Sequence, residues 1–374
     1  MTPDWGQPPW HVDLEVAAAP LPARCDVAVV GGGFTGLSAA YHLARRGVRV
    51  VLLEASRLGA GASGRTGGIV LEGTAVGPLE RVENCLDALA GVVARERIDC
   101  DLRLGGCWEL AHRAEPGARR RLWRDGDAWL CVVDTVPGGT VDPGALVAGL
   151  GRAAGAAGAS LHEDAAVVAI EPGRPTRLRL AGATLSADRV VVALNAYTAT
   201  LLAVPVALGA ALTLAVCTAS LEAEALAELS VGDAIPFYTV DLPYLWGRTT
   251  ADRRLVLGAG LLHGADVSRV ALHGSEGTTV LAHLEERIRR LHPILAGAPV
   301  VARWGGPIAF TPQRTPVLAP LPDAPDVIVN AGCSGHGIAL GVRVGQLVAE
   351  AIVDGVPLPA WGALPGAPQT WPHT

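Results

Sequence analysis

The chain contains no lysine, because all 30 of its basic residues are arginine. Without lysine there is no Schiff-base nucleophile, which excludes pyridoxal-phosphate enzymes and lysine-dependent aldolases. The lysine of a Walker A phosphate-binding loop is missing as well. The 46 glycines and 27 prolines are many for 374 residues, but a hydrophobic content of 50% argues against a disordered chain.

Charge, cysteine and histidine usage exclude further classes of protein. The net charge of −6 and the pI of about 5.9 do not favour nucleic-acid binding. The seven cysteines form no Cys-x-x-Cys pair, which is typical of buried thiols in a reducing compartment. The first 25 residues do not resemble a signal peptide, so we expect a cytoplasmic protein. No metal site is expected from the following widely spaced histidines: His263, His273, His283 and His292.

An uncharged stretch over residues 190–221 is long enough for a membrane helix. It is interrupted by polar residues, Pro205 and Gly209, and it begins with a β-branched run. This pattern favours two buried strands joined by a turn, and we expect no membrane span.

A glycine motif lies between two apolar segments near the N-terminus. DVAVV (26–30) predicts a strand, LSAAYHLARRG (37–47) a helix and VRVVLLE (48–54) a second strand. Between the first strand and the helix, Gly31, Gly33 and Gly36 form the G-x-G-x-x-G pattern of dinucleotide-binding folds. Glu54 ends the second strand, where a carboxylate accepts hydrogen bonds from a ribose and disfavours a 2′-phosphate. The sequence therefore predicts a dinucleotide without that phosphate.

A second glycine-rich loop, RLGAGASGRTGG (57–68), follows this unit. A plain NAD-binding protein has no need of it, whereas a longer ligand with a second flat ring requires close backbone approach at both ends.

The remaining pattern predicts alternating helices and strands. Helices are expected over 78–100, 115–130, 144–160, 281–293 and 338–352, with the arginines of 119–124 on a solvated helix face. Strands are expected over 165–170, 184–194 and 326–332, and a pair of strands over 236–260 around a turn at Ala251-Asp252.

The stretch DVAVVGGGFTGLSAAYHLARRGVRVVLLEASRLGAGASGRTGG resembles the flavin-binding end of the D-amino-acid-oxidase-like FAD oxidoreductases. It most resembles their γ-glutamylputrescine-oxidase-like and glycine- and sarcosine-oxidase-like branch, with Thr66 in place of an asparagine. The likeness continues through VDPGALVAGL (141–150), VVVALNAYT (190–198), RWGGPIAFTPQRTPVLA (303–319) and NAGCSGHGIALGVRVGQ (330–346). Residues 75–130 and 206–300 match loosely.

The resemblance implies non-covalently bound FAD, since no motif for covalent attachment matches even though Cys333 begins the C-terminal loop. The implied FAD-binding residues are Gly31, Gly33, Phe34, Thr35, Gly36, Glu54, Ala55, Arg57, Ser63, Gly64, Arg65, Thr66, Gly67, Gly68, Val167, Ala193, Asn195, Gly335, His336, Gly337 and Ile338. The glycine-flanked turn before the last helix would place N–H groups and a helix dipole near the flavin.

The resemblance also implies where substrate would bind. The candidate catalytic and substrate-binding residues are Tyr238, Tyr244, Trp246, Arg248, Arg314 and His336. Arg248 is interpreted as a possible clamp for an anionic group, and His336 equally as a structural histidine bound to a backbone carbonyl. Glycine-oxidase-like proteins carry a carboxylate-binding arginine near the position of Ile308, and this departure favours amine-type substrates.

We therefore predict an α/β protein with a Rossmann-like FAD-binding domain and a second, mainly antiparallel-sheet substrate domain. The expected FAD domain is discontinuous, over 23–75, 131–205 and 312–360. The substrate domain is expected over 76–130 and 206–311, with irregular arms at 1–22 and 361–374.

The expected activity is oxidation of the C–N bond of an amine or amino acid, by hydride transfer to flavin N5, with O2 as acceptor. Three alternatives stay open: a flavin dehydrogenase using another acceptor, a non-catalytic flavin-binding protein and a NAD-binding protein. Sarcosine-oxidase-like relatives place a lysine over the flavin to activate oxygen, and this chain has none. An oxidase would need another positive group to stabilise developing superoxide: an arginine, a protonated histidine or the substrate ammonium.

Overall fold

The computed structural model describes residues 4–365 except Pro116, Ala118 and Ala265. The outer ends of the two predicted arms, 1–3 and 366–374, lie outside the described residues. The helices are α1 (Phe34–Ala44), α2 (Cys85–Glu96), α3 (Pro143–Ala156), α4 (Thr198–Leu201), α5 (Ala223–Glu228), α6 (Ser275–Leu291), α7 (Pro293–Gly297) and α8 (Ala339–Asp354). Short 3-10 helices occur at Asn195–Tyr197, Val267–Arg269 and Ala360–Gly362.

The strands belong to two large sheets and one small one. They are β1 (Arg24–Val30), β2 (Val50–Leu53), β3 (Ile69–Leu71), β4 (Cys107–Arg113), β5 (Arg121–Asp125), β6 (Ala128–Val136), β7 (Gly138–Thr140), β8 (Ser160–His162), β9 (Val167–Glu171), β10 (Thr176–Leu180), β11 (Ala183–Val192), β12 (Gly209–Thr218), β13 (Phe237–Thr239), β14 (Trp246–Thr249), β15 (Leu255–His263), β16 (Val300–Phe310), β17 (Val317–Leu321) and β18 (Ala324–Ala331).

The first sheet has the order β17-β18-β11-β1-β2-β8, with β9 and β10 attached to β11. Its central strands are parallel, and both of their faces are buried. In β1, Val27 and Val29 pack against the layer formed by α1, α2, α3 and α8. Ala28 and Val30 pack on the opposite face. This alternation explains why DVAVV is apolar throughout, as expected for a parallel strand covered on both sides.

The second sheet has the order β16-β12-β15-β14-β13-β4-β6-β5 and is antiparallel except for the pair of β13 and β4. Helix α6 packs on it through buried residues that include Leu284 and Ile288. The two sheets confirm the predicted fold class, a Rossmann-like unit joined to a mainly antiparallel one. β6 lies wholly within the second sheet, so the predicted domain boundary at residue 131 falls inside a strand; the boundaries otherwise stay a prediction.

The predicted helix over 115–130 is wrong, because residues 121–125 form β5 and residues 128–130 begin β6. Arg121 and Arg124 therefore lie on a strand rather than on a helix face. The guanidinium of Arg120 stacks 4.2 Å from the ring centre of Trp108, and that of Arg121 lies 4.7 Å from that of Trp129. Cation–π contacts with tryptophans of other strands in the same sheet thus accompany a charge pattern that resembles an amphipathic helix.

Other elements agree with the predicted pattern or refine it. The glycine-rich stretch after residue 143 is helix α3, as predicted, and Asp142 caps it by accepting a hydrogen bond from Ala145 N at 2.9 Å. Residues 236–260 contain three strands rather than two, because β13 and β14 are separate.

The uncharged stretch contains the end of β11 and the whole of β12, joined by short helices rather than a turn. Within the described part of the chain, no helix is long and apolar enough to cross a membrane.

Candidate active site

A cavity of about 1110 Å³ lies between the carboxyl ends of the parallel strands and one face of the second sheet. Ligand sites in open α/β sheets lie at these strand ends. The lining includes these predicted cofactor-binding residues: Gly33, Phe34, Thr35, Ser63, Arg65, Thr66, Gly67, Ala193, Asn195, Gly335, His336, Gly337 and Ile338. It also includes the predicted substrate-side residues Tyr238, Tyr244, Trp246 and Arg314. The structure thus brings together side chains that lie up to 300 residues apart in the sequence.

The first glycine loop carries the start of α1 to the cavity. Gly31 has φ 110°, which favours glycine, and a Cβ on Gly36 would lie 1.9 Å from the Gly31 carbonyl oxygen. Phe34 N donates to Ser63 Oγ at 3.0 Å, which links the first glycine loop to the second. Gly31 and Gly36 therefore act through backbone packing and do not line the cavity themselves.

Glu54 ends β2 beside this loop, half-buried and outside the cavity lining. Its carboxylate accepts hydrogen bonds from Gly32 N at 2.8 Å and Ser56 N at 3.0 Å. Burial raises the pKa of this carboxyl, while the backbone N–H groups act in the opposite direction. The two backbone bonds hold the carboxylate at the end of the strand, which is the position that the sequence predicts for a ribose-binding acid.

The second glycine loop has a supporting part and a lining part. A Cβ added to Gly64 would lie 2.5 Å from the carbonyl oxygen of Gly59. A Cβ added to Gly68, which has φ 76°, would lie 2.4 Å from the carbonyl oxygen of Val141. Both glycines thus lie outside the cavity lining, against backbone. Gly67 does line it, and the indole ring of Trp246 covers this glycine so closely that a Cβ there would lie 2.2 Å from a ring carbon.

Three further predicted cofactor residues lie outside the cavity lining. Ala55 is exposed, Arg57 forms an exposed ion pair with Glu163 at 2.6 Å, and Val167 is half-buried in β9. They surround the end of β2 rather than the cavity.

The C-terminal loop closes the third side of the cavity and leads into α8. Asn195 Oδ1 accepts hydrogen bonds from Gly332 N at 3.0 Å and Cys333 N at 3.3 Å. His336 Nδ1 lies 3.3 Å from the Ser334 carbonyl oxygen, and burial lowers the pKa of this histidine. The lowered pKa disfavours the charged form of this ring.

The opposite wall is one row of side chains across six strands of the second sheet. Ala215 pairs with Trp304 and with Gly258, Gly258 with Trp246, Trp246 with Tyr238, and Tyr238 with Glu109. Of these six, all but Gly258 line the cavity, and the ring of Trp246 covers Gly258. The sequence analysis did not single out Trp304 or Glu109, because this row forms only when strands distant in the sequence pair.

Arg248, predicted as a clamp for an anionic group, is buried away from the cavity surface. Its side chain is 4% exposed, does not line the cavity, and lies with its guanidinium against Gly68 and 5.4 Å from the ring centre of Trp10. Desolvation lowers the pKa of Arg248 to about 10, so it keeps its charge at neutral pH. Among the described residues, its Nε has no hydrogen-bond partner. Arg248 is thus a buried positive charge behind the second glycine loop.

The N-terminal arm packs against that same loop, a role that its irregular, proline-rich sequence does not indicate. Trp10 Nε1 donates to Gly64 O at 2.9 Å, and Trp5 Nε1 donates to Val270 O at 2.7 Å. Arg65 Nη1 donates to Gly6 O at 2.8 Å, with its guanidinium 5.7 Å from the ring centre of Trp5. The arm therefore joins the second glycine loop to the second sheet.

The rim of the cavity holds charged residues that the sequence analysis missed. His112 lies between Asp125 and Asp241, at 3.0 Å and 2.7 Å, and Arg287 binds Asp125 and the Tyr244 carbonyl. These pairs hold residues 241–244 over the cavity. Asp125 keeps a lowered pKa despite burial, because Arg287 and His112 donate to it.

Arg314 also lines the cavity, and it differs from these rim residues. Its guanidinium lies 5.7 Å from the ring centre of Phe310. No hydrogen bond or ion pair within the described residues occupies that guanidinium, so it is free to bind an anionic group.

Sequence and fold comparisons agree with this geometry. The family model described as DAO, FAD dependent oxidoreductase, matches residues 26–351. The chain is 31% identical to gamma-glutamylputrescine oxidoreductase of Escherichia coli, over 87% of this chain and 83% of that protein. It is 29% identical to glycine oxidase of Geobacillus kaustophilus, over 88% and 93% of the two chains.

Two solved structures are also similar to the chain. The crystal structure of glycine oxidase from Geobacillus kaustophilus superposes with a TM-score of 0.70 at 25% identity, covering 88% of this chain and 94% of that one. L-proline dehydrogenase from P. horikoshii gives a TM-score of 0.74 over 89% and 94% of the chains, at 18% identity, and shows the fold alone. The resemblance predicted from the sequence is confirmed, and so is FAD as the cofactor. The chain is an enzyme that belongs to the DAO family of FAD-dependent oxidoreductases.

Proposed function

We propose that this enzyme oxidises the C–N bond of an amine or amino acid to an imine, which water then hydrolyses to a carbonyl compound. The single observation that carries the proposal is the cavity itself, which continues from both glycine loops to an aromatic wall. Its volume of about 1110 Å³ exceeds the usual size of a site for one small ligand, so it has room for a cofactor and a substrate together.

The residues present fit FAD at three places. The start of α1 offers backbone N–H groups and a positive dipole end for the diphosphate. Glu54 is held beside Gly32, where it would accept hydrogen bonds from the ribose. The C-terminal loop before α8 would direct its N–H groups and helix dipole at the flavin. When bound, FAD supplies the acceptor for the hydride that leaves the substrate carbon.

The chain's own residues would bind and orient the substrate. Trp246 and Tyr238 provide a flat apolar wall that excludes water. Arg314, which has no ion-pair partner among the described residues, would attract a carboxylate. The imine-forming amine must be neutral, and none of the assigned roles needs a dedicated general base. Orientation against the flavin supplies most of the rate enhancement in such a site.

The proposed electron acceptor is O2. In place of the lysine of sarcosine-oxidase-like proteins, Arg248 keeps a positive charge buried against Gly68. A fixed charge in a low-dielectric site stabilises negative charge that develops nearby. The proposed attachment of FAD is non-covalent, since burial raises the pKa of the Cys333 thiol to about 12 and keeps it unreactive.

The test is anaerobic bleaching of the enzyme-bound flavin by a panel of amines and amino acids. We expect at least one amine to reduce the flavin completely, and an aldehyde or keto product to appear. Reduction by another class of donor, with no amine or amino acid active, would overturn the proposal. Admitting air then decides the acceptor, since an oxidase yields one peroxide per turnover and a dehydrogenase leaves the flavin reduced.

The arm contact to the second glycine loop supports a prediction on cofactor retention. Replacing Trp10 with phenylalanine removes the N–H that donates to Gly64 O, worth about 1 kcal/mol. We expect FAD affinity to fall about fivefold in a titration of apoprotein. The matched control is Trp123→Phe, which removes an equivalent bond to Leu229 O in the core of the second sheet. Equal loss of FAD affinity in both variants would contradict a specific role for the arm.

A further inference from the structure

The row of side chains on the second sheet has two chemically different positions. In its interior, Trp246 lies directly on Gly67 of the second glycine loop. At one end of the row lies Glu109, in β4, with Tyr238 between it and Trp246. Neighbouring strands lie about 4.8 Å apart, so Trp246 and Glu109 are separated by about 10 Å.

The Glu109 carboxylate is only partly satisfied. It accepts one hydrogen bond, from the phenol of Tyr238 at 2.6 Å. Burial, and then this bond to Glu109, raises the pKa of Tyr238, so the phenol stays a neutral donor. Among the described residues, no arginine or histidine forms an ion pair with Glu109. A half-buried carboxylate in a largely apolar cavity gains most from a cation.

The other charged groups of the cavity are already engaged or lie elsewhere. Asp241 is bound by His112, and Arg287 by Asp125. Arg65 donates to backbone carbonyls, and Arg314 lies over Phe310. Among the described residues that line the cavity, Glu109 is thus the carboxylate without a basic partner, and it has hydrogen-bonding capacity left for a bound molecule.

We propose that the substrates are amines with a second, distal ammonium group, and that Glu109 binds this group as a specificity-determining residue. The inference rests on the proposed amine oxidation. The reacting amine must be neutral and must lie at the flavin, beside the second glycine loop and Trp246. Glu109 lies two strands away from Trp246. Tyr238 and Trp246 would cover the apolar spacer between the two nitrogens. Glu109 thus selects the substrate without contacting the reacting carbon.

The experiment uses holoenzyme and three matched series of unbranched compounds. These are the diamines from diaminobutane through diaminooctane, the monoamines of the same length, and the corresponding amino alcohols. Anaerobic stopped-flow bleaching gives the Kd and the limiting rate for each. The distal ammonium of a sufficiently long diamine would form a charge-assisted hydrogen bond with the Glu109 carboxylate. We therefore expect such diamines to bind about 10- to 100-fold more tightly than monoamines or amino alcohols.

The variant Glu109→Gln should reduce this preference to near parity, with the loss in the Kd of the diamines. The matched control is Glu96→Gln, because Glu96 also accepts a bond from a tyrosine, Tyr41, in the helical layer. It should keep the full diamine preference. A purely structural Glu109 would lower stability without changing the ratio of the two Kd values.

The outcomes separate the inference from the function on which it rests. If amines bleach the flavin but the wild-type enzyme binds monoamines and diamines equally, the distal site is wrong and the amine oxidation stands. If only amino acids bleach the flavin, the inference fails and the oxidation of C–N bonds stands. If neither amines nor amino acids bleach it, the proposed function fails and the inference with it. The wild-type comparison needs no variant, so poor folding of Glu109→Gln does not prevent the test.

Discussion

Replacing Gly36 with alanine is expected to abolish FAD binding and to lower the free energy of unfolding by about 3 kcal/mol. The new Cβ would lie 1.9 Å from the Gly31 carbonyl oxygen and 3.3 Å from a methyl of Val29. Since both neighbours belong to the β1 strand and the turn that follows it, α1 must move away from the sheet. That movement displaces the helix N-terminus that would bind the diphosphate.

The matched control is Gly91→Ala, the same substitution at an exposed position of helix α2. A Cβ at Gly91 meets no atom within 4 Å. Alanine there should stabilise the protein by about 1 kcal/mol and leave FAD affinity unchanged. Thermal unfolding of both apoproteins and FAD titration measure the two effects. A Gly36→Ala protein that purifies yellow and fully loaded would contradict the role of this close contact.

Replacing Glu54 with glutamine is expected to weaken FAD binding about 30-fold, the equivalent of about 2 kcal/mol for a charge-assisted hydrogen bond. The carboxylate is held by Gly32 N and Ser56 N, so its oxygens already point along the end of β2. Glutamine keeps the size but offers one acceptor oxygen and no charge. The variant Glu54→Arg brings a cation to the ribose position and should purify without flavin.

The control for Glu54 is Glu72→Gln. Glu72 also accepts hydrogen bonds from backbone N–H groups, those of Gly73 and of Cys85 and Leu86 at the start of α2, and does not line the cavity. This variant should lose stability yet keep its FAD affinity. Full flavin occupancy in purified Glu54→Arg would refute the assignment of Glu54 to the ribose.

The confirmed predictions rest on short stretches of sequence. The β1–α1–β2 unit was predictable because its glycines, its apolar strands and Glu54 lie within 31 residues and contact one another. The helix in the glycine-rich stretch after residue 143 was predictable from helical spacing alone. The role of the C-terminal loop and the identity of the cofactor as FAD were predicted from the family resemblance instead.

The structure departs from the predicted pattern for one reason, which is pairing between distant segments. Residues 121–125 and 128–130 belong to strands, and Arg120 and Arg121 contact tryptophans of other strands in the same sheet. Arg248 turns away from the cavity because Trp10, from the N-terminal arm, stacks on it. Neither partner is recognisable from the residues around the arginine.

The residues by themselves determined a dinucleotide-binding unit, because its glycines and Glu54 lie in contiguous turns that local geometry requires, and the family resemblance of the sequence supplied FAD. The absence of lysine also excluded one way of activating oxygen, and only the fold placed the buried charge of Arg248 behind the second glycine loop. Only the tertiary structure decided which side chains form the aromatic wall of the cavity together. Trp304, Trp246, Tyr238 and Glu109 come from four strands spread over about 200 residues, and they face one cavity only because those strands pair in this register.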